Sequence, residues 1–526
     1  MNSSNFWALP ASIRGSISHF FRRHDAHRIP YQQLKSEGSS APQTNDIGST
    51  STRDHKTARL SRYLFTLCGR RCAIGALGLV ALLLLFAQFS ALDPNDLVPS
   101  AKQADHRLYL FIPSSNEPDI GFCRTELTAG ILGYPTPLIL NRETAGRSDG
   151  EQERDKIRVI HDHLVGMGED RDDDMVILLD DASAWFQLRP EVLMKRYYRI
   201  IERANKRLAK QAGQADAPTQ RIVFAAQNHC SGHTLDEVAC FAPPPSPLDE
   251  SSTLRYLSSG LTIGPVRDMR RLFNRVTGKS IARYGQQLSY QGLLAEAFGE
   301  QEFRREYVRQ GAWSSSRRKL DGMLKALSKS SSVTAAIPGR KLLEDPESPG
   351  YELGIGLDYG NELGLSMSRL ADRDGIDWIS HEKDAARLPR DIKDSMPPYW
   401  TTTSSSSLLI DKSWIDLPLL TSKRTGKIPA IISISGDARS SSRGGLDWRT
   451  LWLHSHAKEL WEAQQEVSRL PLTSVVDGGG TEHTFWNQEL RMDLRDGANW
   501  LEAGWKPWTD HCGWSDAGDV LLLPSQ

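Results

Sequence analysis

Asp180 and Asp181 close the run Met175-Val-Ile-Leu-Leu, so two carboxylates stand where five apolar residues end. A run this apolar reads as a buried strand, and the C-terminal edge of an open α/β sheet is where ligands bind. Carboxylates placed there suit a divalent cation, which prefers hard oxygen donors and bridges a diphosphate. The plainer reading is a strand-end turn, because Asp is common in turns; a carboxylate pair ending so apolar a run favours the functional one. Other groups with ligand chemistry are less well placed. His161 and His163 lie two apart on a helical stretch, as do His454 and His456, so the members of each pair face apart. Asn228-His-Cys230-Ser-Gly-His233 with Cys240 has zinc-like spacing. Gly478-Gly-Gly480 lacks the strand, Lys and helix of a phosphate loop and reads as a turn.

The elements that must position these residues follow from the apolar pattern. Residues 107–113 predict a first strand, 120–133 a helix carrying Cys123, 137–141 a second strand and 156–166 a helix leading into the acidic run. Pro190 opens a helix that reaches Arg207, at a position where its missing N–H costs little. Residues 221–226 and 255–265 predict further strands, 266–277 and 289–302 helices, 427–432 a strand and 448–467 an amphipathic helix. Strands alternating with helices predict an α/β fold, a parallel or mixed sheet with helices on its faces. Residues 313–337, basic and Ser-rich, predict a flexible insert. The Trp-rich end (Trp486, Trp500, Trp505, Trp508, Trp514) suits packing of a small subdomain better than stacking on sugars.

Residues 72–92 (CAIGALGLVALLLLFAQFSAL) carry no charge and are long enough to cross a hydrocarbon core of roughly 30 Å. They start too far along the chain for a cleaved signal peptide. Arg59, Arg62, Arg70 and Arg71 precede them and Asp93 and Asp96 follow, which puts the N-terminus in the cytoplasm and the rest in a lumen. The expected organisation is a disordered cytoplasmic tail (1–71), a transmembrane helix (72–92), a linker (93–106), a folded domain (107–467) and an extension (468–526). The tail is polar and basic, and cannot bury enough surface to offset chain entropy. An oxidising lumen favours a Cys230–Cys240 disulfide over zinc; Cys123 and Cys512 are left to pair or to stay buried. A net charge of −1 argues against a nucleic-acid partner.

A resemblance emerges along the chain. Its pieces are the strand into Pro113, Phe122-Cys123, Gly133-Tyr-Pro135-Thr-Pro137, Asp180…Trp185-Phe186-Gln-Leu and Phe224-Ala-Ala…Cys230. Tyr256-Leu-Ser-Ser-Gly260…Ile263-Gly264, Gln291…Phe298-Gly-Glu-Gln301, Gly354-Ile-Gly-Leu-Asp358-Tyr359 and Pro397-Pro-Tyr-Trp400 continue it. In this order they resemble the glycosyltransferase-like domain related to those of lysyl hydroxylases and collagen glycosyltransferases, most closely its membrane-anchored fungal branch, over roughly residues 108–461. The resemblance implies a GT-A-like nucleotide-sugar fold, a mixed sheet flanked by helices, in which manganese holds the diphosphate through Asp-x-x-Asp and a later His. It implies catalytic roles for Asp180, Asp181 and Gln291, the first two on the metal. It places the nucleotide sugar against Pro113, Ser259, Gly260, Gly436 and Asp437.

The chain departs from that pattern where the chemistry is densest. Ser183 stands where the second acid is expected, and Asp181 replaces it imperfectly because adjacent strand residues face opposite sides. Leu-Asn-Ser-Gly becomes Leu257-Ser258-Ser259-Gly260, Ser-Asp-Gln becomes Ser289-Tyr290-Gln291, and His-x-Asn-Gly becomes Ser433-Ile-Ser435-Gly436. Loss of one electrostatic stabiliser costs on the order of 10²–10³ in rate. The expectation is therefore a type II protein of the Golgi or endoplasmic-reticulum membrane with a catalytically weak or inactive lumenal domain, a pseudoenzyme or scaffold. Ser183, Tyr290 and Ser433 are expected around one cleft with Asp180. The alternative is an active UDP-sugar transferase with manganese on Asp180 and Asp181 and a glycoprotein or glycan acceptor. An adhesion protein is disfavoured by the absence of repeats.

Overall fold

The computed structural model describes residues 103–487 apart from 114–118, 141–147, 181, 213–216, 231–237, 242, 249–251, 284–288, 312–348, 368–375, 381–386, 397–411, 435–446 and 466–470, and also describes 508, 512–515 and 519–522. The expected tail, membrane span and insert lie outside the described residues, as do Asp181, Gly436, Asp437 and the Pro397–Trp400 motif. Among the described residues no helix is long and apolar enough to cross a membrane.

The chain runs β1 (Gln103–Pro113), α1 (Ile120–Ile131), β2 (Leu138–Leu140), α2 (Asp149–Gly166), β3 (Met175–Leu179), β4 (Ala184–Phe186) and α3 (Pro190–Ala212). β5 (Ile222–Gln227), β6 (Tyr256–Pro265), α4 (Val266–Ala282), α5 (Tyr290–Gly311), β7 (Ile355–Asp358) and β8 (Gly364–Met367) follow. β9 (Ile376–Ser380), β10 (Pro418–Ser422), β11 (Ile431–Ile434), α6 (Ala457–Gln465), β12 (Thr473–Val476), β13 (Glu482–Asn487), β14 (Cys512–Trp514) and β15 (Val520–Leu522) complete it. The main sheet has the order β12-β13-β1-β3-β6-β5-β7, with β2 beside the far half of β1. β1 is parallel to β13, β2 and β3, while β6 runs antiparallel between β3 and β5, and β7 is parallel to β5. The C-terminal ends of β1, β3, β5 and β7 therefore share one edge, and Asp180 lies on it. A smaller sheet, β4-β11-β8, is also formed.

Both faces of the main sheet are covered, which is why β3 is apolar without alternation and buried at all five positions. Its residues still divide by period two. Ile177 and Leu179 join one core, and Val176 and Leu178 the other. α2 is held to the second core by Ile157, Ile160 and Leu164, at helical spacing. It starts at Asp149, seven residues before the expected start at Lys156, because Ser148 and Glu151 form a capping box: the Ser148 N–H and hydroxyl donate to Glu151 Oε2 at 3.0 and 2.7 Å.

Two domain limits are corrected. β1 begins at Gln103 rather than Arg107, since residues 103–108 pair in register with 482–487 of β13. The predicted linker therefore ends earlier. For the same reason the described residues of 468–526 form no separate extension: β12 and β13 extend the main sheet, and Trp508, Cys512 and Val520 belong to its core. The stretch 448–467 is not one helix either. It opens with two single 3₁₀ turns, the first capped where Asp447 Oδ1 accepts from Arg449 N at 3.0 Å, before α6. Cys230 and Cys240 form one disulfide, and Cys123 and Cys512 another across 389 residues.

Candidate functional site

Asp180 leaves the end of β3 with both carboxylate oxygens engaged. Oδ1 accepts from Lys156 Nζ at 2.9 Å, and the same ammonium reaches the Asp180 carbonyl at 3.3 Å. Oδ2 accepts from the Ser259 hydroxyl. Lys156 comes from the early turns of α2, three residues after Glu153, whose carboxylate is 3.7 Å from Nζ. The ammonium also stands over the Tyr290 ring, 5.4 Å from its centroid. Burial would pull the Lys156 pKa down, but Asp180 and Glu153 outweigh it and hold it above the ordinary lysine value. Lys156 is thus a charged group at the acidic strand end.

Ser259 reaches Asp180 because β6 slips there. Phe224 of β5 pairs with Thr262, but the next residue, Ala225, pairs with Ser258, so Ser259, Gly260 and Leu261 form a bulge at the end of β3. Gln291, at the start of α5, braces it: Oε1 accepts from Ser259 N at 2.6 Å and Nε2 donates to the Leu257 carbonyl at 2.8 Å. Both ends of the Gln291 amide are thereby committed to the β6 backbone. The Ser258 hydroxyl accepts from Gly260 N at 3.3 Å, inside the same bulge.

Ser183, Tyr290 and Ser433, expected around one cleft with Asp180, have different immediate neighbours, although Ser433 pairs with Ala184 next to Ser183 and the Tyr290 ring lies under Lys156. Ser183 turns toward α1, where a Cβ on Gly121 would stand 2.2 Å from its hydroxyl. Ser433 is level with Ser366 of β8, and a Cβ on Gly260 would meet both hydroxyls at 2.8–3.0 Å. Tyr290 is fully buried in the second core, its ring 6.3 Å from that of Phe273 and its backbone N–H on Glu153 at 2.6 Å. Burial, then Asp180 and Glu153, raise its phenol well above the ordinary tyrosine value. The buried Ser433 hydroxyl has no hydrogen-bond partner. Pro113, at the end of β1, is buried level with Leu140 of β2.

Among the described residues, the donors around Asp180 offer a divalent cation no free oxygen. An ammonium occupies one oxygen and a hydroxyl the other, and a second charged ligand from Ser183 is missing. Among the described residues no group of three His, Cys, Asp or Glu is placed to hold a metal ion. His161 bonds Asn274 at 2.6 Å, while His163 packs edge-on to Phe111.

Lys156 is the site residue that sequence reasoning passed over. Its signal was the Ser148-x-x-Glu151 box, which moves the helix start back to Asp149 and so puts Glu153 on the helix one turn before Lys156. Asp358 was recognised within a motif but given no role. It ends β7 on the same sheet edge, buried, with Oδ2 accepting from Leu363 N at 2.6 Å and Gly364 N at 3.3 Å and no partner for Oδ1. Burial pushes its pKa up to about 6, against the backbone N–H groups that lower it. A folded pKa above the unfolded one favours the fold most at low pH, and that contribution is lost as pH rises through 6. The difference in stability between Asp358→Asn and the parent should therefore grow by up to about 3 kcal/mol between pH 4 and 7, in favour of the variant. Denaturant unfolding across that range reads it, and parallel curves would refute the buried charge.

No family model matches the chain, and no curated protein matches it. Among solved structures, the apo crystal structure of mouse xyloside xylosyltransferase 1 is similar over 39% of this chain and 83% of that chain, at 10% identity and a TM-score of 0.21.

Proposed function

We propose that this chain is a glycosyltransferase-like protein in which Lys156 stands where the family that the sequence resembles holds its metal ion. The domain is a lumenal binding or scaffolding module on a single N-terminal span in the Golgi or endoplasmic-reticulum membrane, catalytically weak or inactive. The observation that carries this reading is the Lys156–Asp180–Ser259 cluster at the end of β3. The mixed sheet, with an antiparallel strand beside the acid-bearing one, fits the GT-A-like arrangement that the resemblance implies.

The electrostatics argue against metal-dependent transfer. One ammonium faces the two carboxylates of Asp180 and Glu153, so the cluster offers a diphosphate no net positive charge. A bound manganese would neutralise the diphosphate and the developing charge on the leaving group, and Asp180 is not free to hold it. Asp180 instead ties α2, β3 and β6 together. Calorimetry of the purified full-length chain should show manganese no tighter than roughly millimolar, the level of weak carboxylate sites, with no manganese-stimulated hydrolysis of UDP-sugars. Micromolar manganese binding together with UDP-sugar turnover would instead establish the active transferase, with Asp181 or Asp437 supplying the missing ligands.

A further inference from the structure

A cavity of about 290 Å³ opens at the outer edge of the main sheet, beside β7 and separated from β3 by two strands. Its wall holds a donor that the fold leaves unused. Gln220 is only 4% exposed, yet its Nε2 has no hydrogen-bond partner. Its backbone is fixed, with the N–H on Asn205 Oδ1 at 2.6 Å and the carbonyl accepting from Asn205 Nδ2 at 3.2 Å. Gly356 on β7 makes the room: a Cβ there would lie 2.0–2.3 Å from the Gln220 amide atoms. A buried amide without a partner costs free energy, and native proteins leave few of them without a reason.

Three arginines, Arg207, Arg305 and Arg309, and one carboxylate, Glu302, line the same cavity, and Arg309 is paired with Glu306. Arg207, on α3, has no ion pair or hydrogen bond among the described residues; its charge acts on the Tyr359 phenol. Arg305, on α5, is bound by Glu302 and Glu352 through three of its five N–H groups, with donor distances of 2.6–2.9 Å. That leaves one N–H on each terminal nitrogen. Burial would lower the Arg305 pKa, but the two glutamates hold it above the ordinary value. Donor-bearing side chains on the cavity wall thus come from α3, from the segment entering β5 and from α5. Three separate directions match a tetrahedral oxyanion better than a planar carboxylate.

We infer that this cavity is a second ligand site, which takes the phosphoryl group of a small phosphorylated molecule on Gln220 Nε2 and the Arg207 guanidinium. The test titrates inorganic phosphate into the purified full-length chain at constant ionic strength, read by calorimetry and by the unfolding midpoint, with acetate and chloride as parallel arms. Phosphate should bind and raise the midpoint, and acetate and chloride should not. Arg207→Met and Gln220→Leu should each weaken phosphate binding about ten- to a hundredfold, as expected for hydrogen bonds to a charged group. Without phosphate, Gln220→Leu should keep or raise the midpoint, because it removes an unpaired donor; a purely structural Gln220 would lower it. Arg207→Met, on a partly exposed helix face, keeps the test decisive if Gln220→Leu fails to fold. Asp180→Asn should leave the phosphate response unchanged, which separates this site from the cluster at β3. An absent phosphate response, an equal response to acetate, or full binding by Arg207→Met would overturn the assignment.

Discussion

Replacing Lys156 with Met should lower the stability of the folded domain by about 2–4 kcal/mol. Breaking a buried ion pair costs more than the pair contributes, because the remaining charge is left without its partner. Side-chain exposures of 16% for Lys156 and 23% for Asp180 put the effect below that of a fully buried pair but well above a surface one. The ammonium also serves Glu153 and covers the Tyr290 ring, so more than one contact is lost. Lys156→Met combined with Asp180→Asn should recover part of the loss, since no bare carboxylate then remains under the Ser259 bulge. Urea unfolding of the two single variants and the double one gives the coupling. A cost below about 0.5 kcal/mol for Lys156→Met would mean a solvated pair and remove the lock. The variant carries a functional readout as well. With its oxygen released, Asp180 should bind manganese more tightly in Lys156→Met than in the parent, and an unchanged isotherm would show that the lysine does not occupy the cation position.

Exchange of both Cys123 and Cys512 for Ser should cost about 4 kcal/mol. The bond closes a loop of 389 residues, and the entropy it removes from the unfolded chain grows only with the logarithm of loop length, so the effect sits near the upper end of the usual range. The local consequence is more specific. Trp508 Nε1 donates to the Cys123 carbonyl at 3.2 Å, and its ring lies 5.4 Å from Trp461 and 5.2 Å from Trp514. The disulfide fastens β14 to α1 through this tryptophan cluster. Loss of the bond should expose residues near 508–522 to protease before the main sheet opens. An unchanged denaturation midpoint with no new cleavage there would show that packing alone holds the segment.

The local pattern of the sequence determined much of this scaffold. Five apolar residues ending on Asp180 specify a doubly covered strand and place the acid at its C-terminal end, because burial on both faces leaves no room for polar alternation. Pro190 sets the start of α3, and the alternation of strand and helix sets a sheet with covered faces, since both signals act over a few residues. Only the tertiary structure decided what meets Asp180. Lys156 is 24 residues away and Ser259 is 79, and their approach depends on a capping box that lengthens α2 and a register slip that bulges β6. β13 meets β1 in the same manner, across more than 370 residues, by backbone hydrogen bonds that no periodicity encodes. Tyr290 and Ser183 gave the same kind of surprise. Their types show that an acid is missing, but the side to which each turns is fixed by the space that Phe273 and Gly121 leave. Periodicity records which face of an element is buried; the partner on that face is chosen by packing across the whole chain.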